Sequence, residues 1–362
     1  MNIRHRRAVT AAAAVGLLPL LAACSGDDAP AGTTSSSPTG DAPLSGTVTL
    51  VTHDSFALSD GLLESFEQET GLEVEQVAAG DAGTLVNQLV LTADSPLGDV
   101  VFGVDNTFAS RAVEAGVFEP YTPADLDPSV TALVGEGLEG LTPIDQGDVC
   151  LNVDTAWFDA EGVEPPSTFE DLLDPAYRDL TVVANPATSS PGFAMLLATV
   201  AAFGEDGFEQ YWTDLGANGL KVTEGWSDAY YVDFSGAGEG GQRPVVLSYA
   251  TSPAFTVTED GDATTTAALL GTCFRQVEFA GVLAGTDNPE GAKALVDFLA
   301  SADVQADVPA NMYMYPADAT VELPAEWAQF APQADEPFDV APADVAAHRD
   351  EWIQQWTTAV IG

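Results

Sequence analysis

Short apolar runs alternate with amphipathic segments along most of this chain, and that alternation limits the possible folds more than any other feature. Runs typical of buried strands lie at 47–52, 99–104, 180–184, 244–249 and 276–284. Apolar residues at helical spacing lie between them, at 62–71, 85–90, 108–116, 190–203 and 289–300. Ser190-Pro191 has the residue types of a helix start, with Ser190 as the cap. Strands that alternate with helices predict an α/β fold whose sheet is mainly parallel and covered by helices on both faces.

The N-terminus predicts export from the cytoplasm. Three arginines precede an apolar run at 8–23, which is shorter than the roughly 20 residues of a membrane-spanning helix. Ala22-Ala23-Cys24 resembles the lipobox of bacterial lipoproteins, which implies lipidation of Cys24 and cleavage before it. An ordinary signal peptide is the alternative. We expect a signal peptide at 1–23, a flexible Ser-, Pro- and Gly-rich tether at 24–45, and a protein held on the outer face of the cell membrane only by its lipid.

Charge and size narrow the possible functions further. The chain has 10 Lys and Arg against 56 Asp and Glu, so its formal charge is −46, and loss of the three leader arginines makes it −49. Such a surface repels nucleic acid, which needs cationic contacts to phosphate. The three histidines are too few and too scattered for a multi-histidine metal site. Beyond the leader, 339 residues are more than one core usually organises, so two lobes are expected.

Polar and aromatic clusters follow the predicted strands, where a ligand cleft should lie. They begin at His53, Asp81, Asp105, Thr188, Gly225, Ser248 and Tyr313. Aromatic faces stack on flat heterocycles and attract cations, and carboxylates add charge and direction. Because ligands of open α/β sheets bind at the carboxyl ends of strands, these clusters predict one binding cleft between two lobes.

The order of these clusters resembles that of the thiamine-binding substrate-binding proteins of ABC transporters. The matching stretches are 52–57, 99–106, 188–192, 222–230, 246–254, 276–278, 314–316 and 342–356, which together extend over nearly the whole chain after the tether. The resemblance implies a two-lobed periplasmic-binding-protein-like fold of type 2. Lobe 1 would comprise 46–150 plus 274–362, and lobe 2 would comprise 151–273. It also implies a monomer that binds thiamine or thiamine phosphate and delivers it to ABC permease subunits, without a cofactor.

The resemblance also implies roles for individual residues. His53, Phe255 and Tyr313 would flank the ligand rings, and the polar or phosphate side of the cleft would hold Asp81, Ala82, Gly83, Ser189, Trp226 and Tyr249. His53 stands where the family often has tyrosine, and Tyr313 where it often has tryptophan. With few Lys and Arg in the chain, these departures favour free thiamine over its phosphate esters. The residues themselves suggest Asp54 and Asp105 as partners of a cation or amine, with a turn or helix cap as the alternative for each.

Two other functions remain open. Adjacent tyrosines at 230–231 could ligate ferric iron in a related two-lobed protein. Thiamine-degrading enzymes share this kind of fold and use a cysteine nucleophile, for which Cys150 is the candidate. Because Cys150 and Cys273 lie near the expected crossovers between the lobes, and the predicted compartment is oxidising, we instead expect a disulfide across the hinge and no enzymatic activity.

Overall fold

Strands and helices alternate along the chain in the computed structural model, which describes residues 44–237 and 240–362. The strands within these ranges are β1 (Gly46–Thr52), β2 (Leu72–Ala78), β3 (Val100–Asp105), β4 (Phe118–Glu119), β5 (Thr142–Asp154), β6 (Thr181–Ala184), β7 (Lys221–Thr223), β8 (Val245–Tyr249), β9 (Thr266–Ala268), β10 (Phe274–Leu283) and β11 (Tyr315–Pro316). The α-helices are α1 (Leu62–Thr70), α2 (Ala82–Leu91), α3 (Ala109–Glu114), α4 (Pro128–Thr131), α5 (Thr155–Glu161), α6 (Ser190–Phe203), α7 (Phe208–Ala217), α8 (Pro289–Leu299), α9 (Ala302–Asn311), α10 (Trp327–Phe330) and α11 (Pro342–Val360). A π-helical turn spans Asp228–Asp233, and 3-10 turns span Glu170–Leu173, Pro175–Tyr177, Ser235–Ala237, Ser252–Thr256 and Leu270–Thr272.

The strands form one mixed sheet with the main order β2-β1-β3-β10-β5-β8-β6-β7. β1 is parallel to β2 and β3, and β6 is parallel to β7 and β8. β10 and β5 lie between these two groups, antiparallel to each other and to the strands beside them. We call β1–β3 and the helices packed on them the first lobe, and β6–β8 with their helices the second lobe. The predicted α/β architecture with two parallel groups is confirmed.

Alternate residues of the first lobe's strands enter two different hydrophobic clusters. Val51 and Val101 pack with apolar residues of α2 on one face of the sheet. Leu50 and Val100 pack with the apolar stripe of α8 on the other face. Because successive strand residues point to opposite faces, a strand covered on both faces must be apolar throughout, which explains the continuous apolar runs in the sequence.

The second lobe is packed around α6, whose first turn contacts Asp81 of the first lobe through the Ser190 N–H. Val183 and Val245 pack with α6 and α7, while Val182 and Val246 pack with the π-helical turn on the opposite face. The side chain of Ser189, one residue before the predicted cap Ser190, accepts the backbone N–H of Gly192 at 3.3 Å and caps α6. The predicted cap was therefore wrong by one residue, a common error at helix ends.

β5 and β10 connect the two lobes. β5 has 13 residues and pairs with β10 along 142–149 and with β8 along 149–153. Arg275 donates from Nε and Nη2 to the two carboxylate oxygens of the buried Asp148, at 2.7 and 3.0 Å. Cys150 and Cys273 are joined in the predicted disulfide, which links β5 to the residue before β10. Such a two-contact ion pair and a covalent bond hold these strands in one register.

The C-terminal helix α11 contacts both lobes. The Trp356 ring lies 5.8 Å from that of Trp212 in α7. The guanidinium carbon of Arg349 lies 4.5 Å from the ring centre of Phe108, which precedes α3, and 5.4 Å from that of Phe193 in α6. The described residues belong to one compact unit. The predicted lobe bounds at 150–151 and 273–274 therefore stay a prediction.

The predicted leader at 1–23, the lipidation site Cys24 and nearly all of the predicted tether at 24–45 lie outside the described residues. From residue 44 onward, no described helix combines the length and the apolar character needed to cross a membrane.

Candidate functional site

One cavity lies where the two lobes meet, and its walls come from the ends of strands in both. Its empty space is about 770 Å³, including the part that is open to solvent. Seven of the predicted ligand-binding residues line it: His53, Asp81, Ala82, Trp226, Tyr249, Phe255 and Tyr313. His53 directly follows β1, Asp81 precedes α2, and Tyr249 ends β8. The cavity is thus at the carboxyl ends of parallel strands, as expected for an open α/β sheet.

An aromatic wall on the second lobe is centred on Trp226. The Trp226 ring stacks on Tyr230, with ring centres 5.0 Å apart and planes 16° apart, and its edge meets Tyr249 at 6.1 Å. The indole Nε1–H donates to Ser248 Oγ at 3.0 Å, which fixes the ring plane. The wall therefore offers a rigid π face to a flat ligand, since the polar edge of its central ring already has a partner.

A second pair of rings, Phe255 and Tyr313, stands at the mouth of the cavity. Their centres are 5.3 Å apart and their planes nearly perpendicular. The Phe255 side chain is 46% exposed, unusual for a large apolar ring with a packing role only. Tyr313 has a φ of 54°, in the left-handed region that side chains other than glycine rarely adopt. Non-glycine residues held in such conformations are concentrated at binding sites.

Asp81 connects the two lobes through backbone hydrogen bonds. Its Oδ1 accepts the N–H of Ser190 at 3.2 Å, and its Oδ2 accepts the N–H of Trp226 at 2.8 Å. Burial raises the pKa of Asp81 to about 6, although these hydrogen bonds oppose the rise. Since both donors belong to the second lobe and Asp81 to the first, the carboxylate joins the lobes in this conformation.

His53 is buried and neutral. Its Nδ1 accepts the backbone N–H of Ser55 at 3.2 Å, so the ring hydrogen of the neutral form is on Nε2. That Nε2 lies 3.5 Å from Oε1 of Glu278 in β10. Burial lowers the pKa of His53 to about 4, because desolvation disfavours the charged imidazolium.

Four predicted site residues do not line the cavity. Asp54 is exposed at its edge, and Gly83 is buried where α2 meets the second lobe. Ser189 caps α6 beneath the lining residue Ser190. Asp105 is buried and accepts hydrogen bonds from the Ser190 hydroxyl, the Thr107 hydroxyl and the Phe108 N–H, as a turn carboxylate would. The predicted binding roles of all eleven residues stay predictions.

Several residues that line the cavity were not among those predicted from the sequence to bind thiamine. They are Ser55, Ser190, Pro191, Tyr230, Tyr231, Thr251, Ser252, Gln276, Glu278, Asn311, Met312 and Met314. The most informative of these are Gln276 and Glu278, because both are buried polar residues of one strand. Their spacing of two in the otherwise apolar run 276–283 was the available clue, since it puts both on one face.

The carboxyl groups under the cavity predict an unusual pH dependence of stability. Burial raises the pKa of Asp81, Asp145 and Glu278, so the folded protein binds more protons than the unfolded chain near neutral pH. The free energy of unfolding should therefore increase as the pH falls from 8 to 6.5. His53 opposes this increase weakly above about pH 6.5 and strongly below it, because the unfolded chain then binds a proton that the buried ring does not.

Urea unfolding at several pH values measures this effect. We expect a gain of about 1 kcal/mol or more over that window, since one extra bound proton contributes up to about 1.4 kcal/mol per pH unit. Asp145→Asn should flatten the profile and raise stability at pH 8. A flat profile in the unsubstituted protein would contradict the assignment.

Residues 95–335 match the family described as bacterial extracellular solute-binding protein. The chain is 31% identical over 319 residues to the thiamine-binding periplasmic protein of Escherichia coli K12, an alignment that covers 86% of this chain and 93% of the relative. It is equally identical to the protein of that name from Brucella suis, over 86% and 92% of the two chains. Among solved structures, a periplasmic thiamin binding protein superposes with a TM-score of 0.73 at 29% identity, over 87% of this chain and 96% of the other.

Iron-binding proteins match this chain more weakly. The iron uptake protein A1 of Synechocystis is 24% identical over 80% of this chain. In the described part of the chain, no group of three or more His, Cys, Asp and Glu residues is arranged to hold a metal ion. The comparisons therefore do not favour the ferric-ion alternative.

Proposed function

Because this chain belongs to the bacterial extracellular solute-binding proteins, and within them to the thiamine-binding periplasmic proteins, we propose that it is an extracytoplasmic receptor for thiamine. The ligand would occupy the cavity between the lobes and then be delivered to an ABC permease. Thiamine combines a flat aminopyrimidine with a permanently positive thiazolium ring. The observation that carries the proposal is the cavity itself, which places stacked aromatic rings on one wall and buried carboxyl groups beneath them.

The wall of Trp226 and the rings of Phe255 and Tyr313 would hold the two heterocycles by stacking. The hydrogen bonds of Asp81 hold the two lobes together in this closed arrangement. A ligand that contacts both lobes would stabilise the same arrangement relative to an open one. The protein binds its ligand unchanged in this proposal and catalyses no reaction. The disulfide supports this, because Cys150 is bonded and so cannot act as a nucleophile.

We propose that free thiamine is preferred over its phosphate esters. Among the described residues, the cavity lining contains Asp81 and Glu278 but no Lys or Arg. The Ser190 N–H at the start of α6, a common place for a phosphate, already donates to Asp81. A phosphate group would therefore be repelled by carboxylates at a place where it needs hydrogen-bond donors or positive charges.

Calorimetric titration with thiamine, thiamine monophosphate and thiamine diphosphate tests both proposals. We expect thiamine to bind most tightly, with affinity at least tenfold lower for the diphosphate, which corresponds to about 1.4 kcal/mol. If none of the three compounds bound, the proposed function would be wrong. A preference for either ester would contradict only the ranking.

The cell-surface anchor is a separate part of the proposal. The sequence Ala22-Ala23-Cys24 supports a lipid on Cys24, with the acidic tether between the lipid and the first lobe. We expect a Cys24→Ala variant to be released from the membrane fraction into the medium or to remain uncleaved.

A further inference from the structure

Three carboxyl groups form a row across the sheet directly under the cavity. In the strand register, Glu278 of β10 is opposite Asp105 of β3 on one side and opposite Asp145 of β5 on the other. Residues directly opposite in antiparallel strands point to the same face, with Cβ atoms about 5 Å apart. Asp105 and Asp145 are fully buried, and Glu278 is 5% exposed. Of the three, only Glu278 lines the cavity.

Buried polar atoms around this row lack partners within residues 44–237 and 240–362. They are Nε2 of His53 and Oε1 of Gln276. His53 and Gln276 line the cavity together with Glu278. Because buried polar groups without hydrogen bonds are costly, such atoms at a cavity wall indicate an occupant that supplies polar or charged contacts.

Within the described residues, no Lys or Arg acts on Glu278 itself, while Arg349 of α11 is close enough to Asp105 to attract its carboxylate. The titratable groups around Glu278 are Asp145 on β5, Asp105 on β3, Asp81 before α2, His53 after β1 and Tyr249 on β8. His53 is neutral, and Arg275 neighbours Glu278 in β10 but pairs with Asp148. Asp105 and Asp81 each accept two or more hydrogen bonds that favour their ionised forms, whereas Asp145 and Glu278 hydrogen-bond to each other, which favours the proton on Glu278. Burial and the neighbouring acids raise the pKa of Glu278 well above its ordinary value, which favours the protonated carboxyl before a cation binds.

We propose that Glu278 is the counter-charge of the bound cation and that it gives up its proton when that cation enters. This inference rests on the proposed function, since the cation is the thiazolium ring. The neutral carboxylic acid becomes a carboxylate, the proton leaves to solvent, and the ligand is chemically unchanged. The Nε2–H of His53 then donates to the new carboxylate, which turns the 3.5 Å contact into a hydrogen bond. A neutral ligand of the same shape would not cause this exchange.

Calorimetry in two buffers of different ionisation enthalpy, phosphate and Tris, measures proton release directly. In the unsubstituted protein at pH 7, thiamine should release close to one proton per ligand, and its affinity should rise by up to tenfold per pH unit between pH 5.5 and 7. The neutral thiophene analogue, in which carbon replaces the thiazolium nitrogen, should release none. This analogue keeps the aminopyrimidine, so protonation of that ring is controlled for.

Glu278→Gln removes the charge with little change in shape. Its thiamine affinity at pH 8 should fall at least tenfold and its proton release should vanish, while its affinity for the neutral analogue should stay within twofold. Glu64→Gln, an exposed glutamate of α1, is the matched control and should change neither quantity. Thiamine binding without proton release in the unsubstituted protein would overturn this inference alone. Absence of thiamine binding would overturn the proposed function and this inference with it.

Discussion

Trp226→Ala should weaken thiamine binding by roughly 10- to 100-fold, or about 1.5–3 kcal/mol. The substitution removes the ring at the centre of the aromatic wall, which stacks on Tyr230 and meets Tyr249. It also opens space between that wall and Ser248, the partner of the indole N–H. The ligand would then lose its stacking face and meet a wetter surface. Titration calorimetry gives the affinity, and Trp226→Phe should recover part of it because a flat ring remains.

The control is Trp157→Ala in α5. Trp157 is also partly buried and packs against another ring, Phe158 at 4.9 Å, but it does not line the cavity. Both variants should lose stability, measured by urea unfolding, but only Trp226→Ala should lose affinity. Tyr249→Ala should behave like Trp226→Ala. If both cavity variants bound thiamine as tightly as the unsubstituted protein, the ligand would bind elsewhere.

Gly83→Ala should lower thiamine affinity at least tenfold by keeping the lobes apart. A Cβ atom at this position would lie 2.6 Å from the carbonyl carbon and 2.7 Å from the carbonyl oxygen of Thr188 in the second lobe. The same carbonyl accepts the N–H of Thr84 at 2.9 Å, and Asn87 Nδ2 donates to Ala187 O at 3.3 Å. The clash is with backbone atoms, which cannot rotate away as a side chain can. It can therefore be relieved only if α2 and the loop before α6 move apart.

The added methyl group also lies 3.0 Å from the Phe108 ring, which belongs to the first lobe and can shift by a few tenths of an ångström. Gly271→Ala is the matched control, because Gly271 is exposed and no atom lies within 4 Å of the position of its Cβ. Small-angle scattering with saturating thiamine should show a larger radius of gyration for Gly83→Ala than for either the control or the unsubstituted protein. Equal affinity in all three proteins would mean that thiamine is bound without this approach of the lobes.

The position of the cavity could be predicted from the sequence because it depends on where strands end. His53 follows β1, Asp81 precedes α2 and Tyr249 ends β8. The apolar runs in the sequence predicted these positions in the same order. In a parallel arrangement such ends converge on one edge, whatever the exact packing of the helices. This explains why residues nearly 200 positions apart in the sequence could be assigned to a common cleft without knowledge of the register.

The acidic row could not be predicted in this way. β5 reads TPIDQGDVCLNVD, in which Pro, Gly and five acidic or amide side chains hide the apolar alternation of a strand. Asp148 is stabilised there by its ion pair with Arg275, whereas Asp145 is opposite the acidic Glu278. Only the pairing of β3, β10 and β5 puts Asp105, Glu278 and Asp145 side by side. The register of these strands depends on how they pair within the whole sheet, so the sequence of one strand alone does not predict which residues are opposite each other.

The bond between Cys150 and Cys273 closes 123 positions of chain into a covalent ring that contains the strands of the second lobe. A stretching force applied between the two termini would be transmitted through this bond, and the residues between Cys150 and Cys273 would bear no tension. Roughly 400 Å of extended chain would thus stay hidden from tension until the bond was reduced. If Cys24 carries the proposed lipid, the anchored protein could be stretched at the cell surface while its second lobe stays folded.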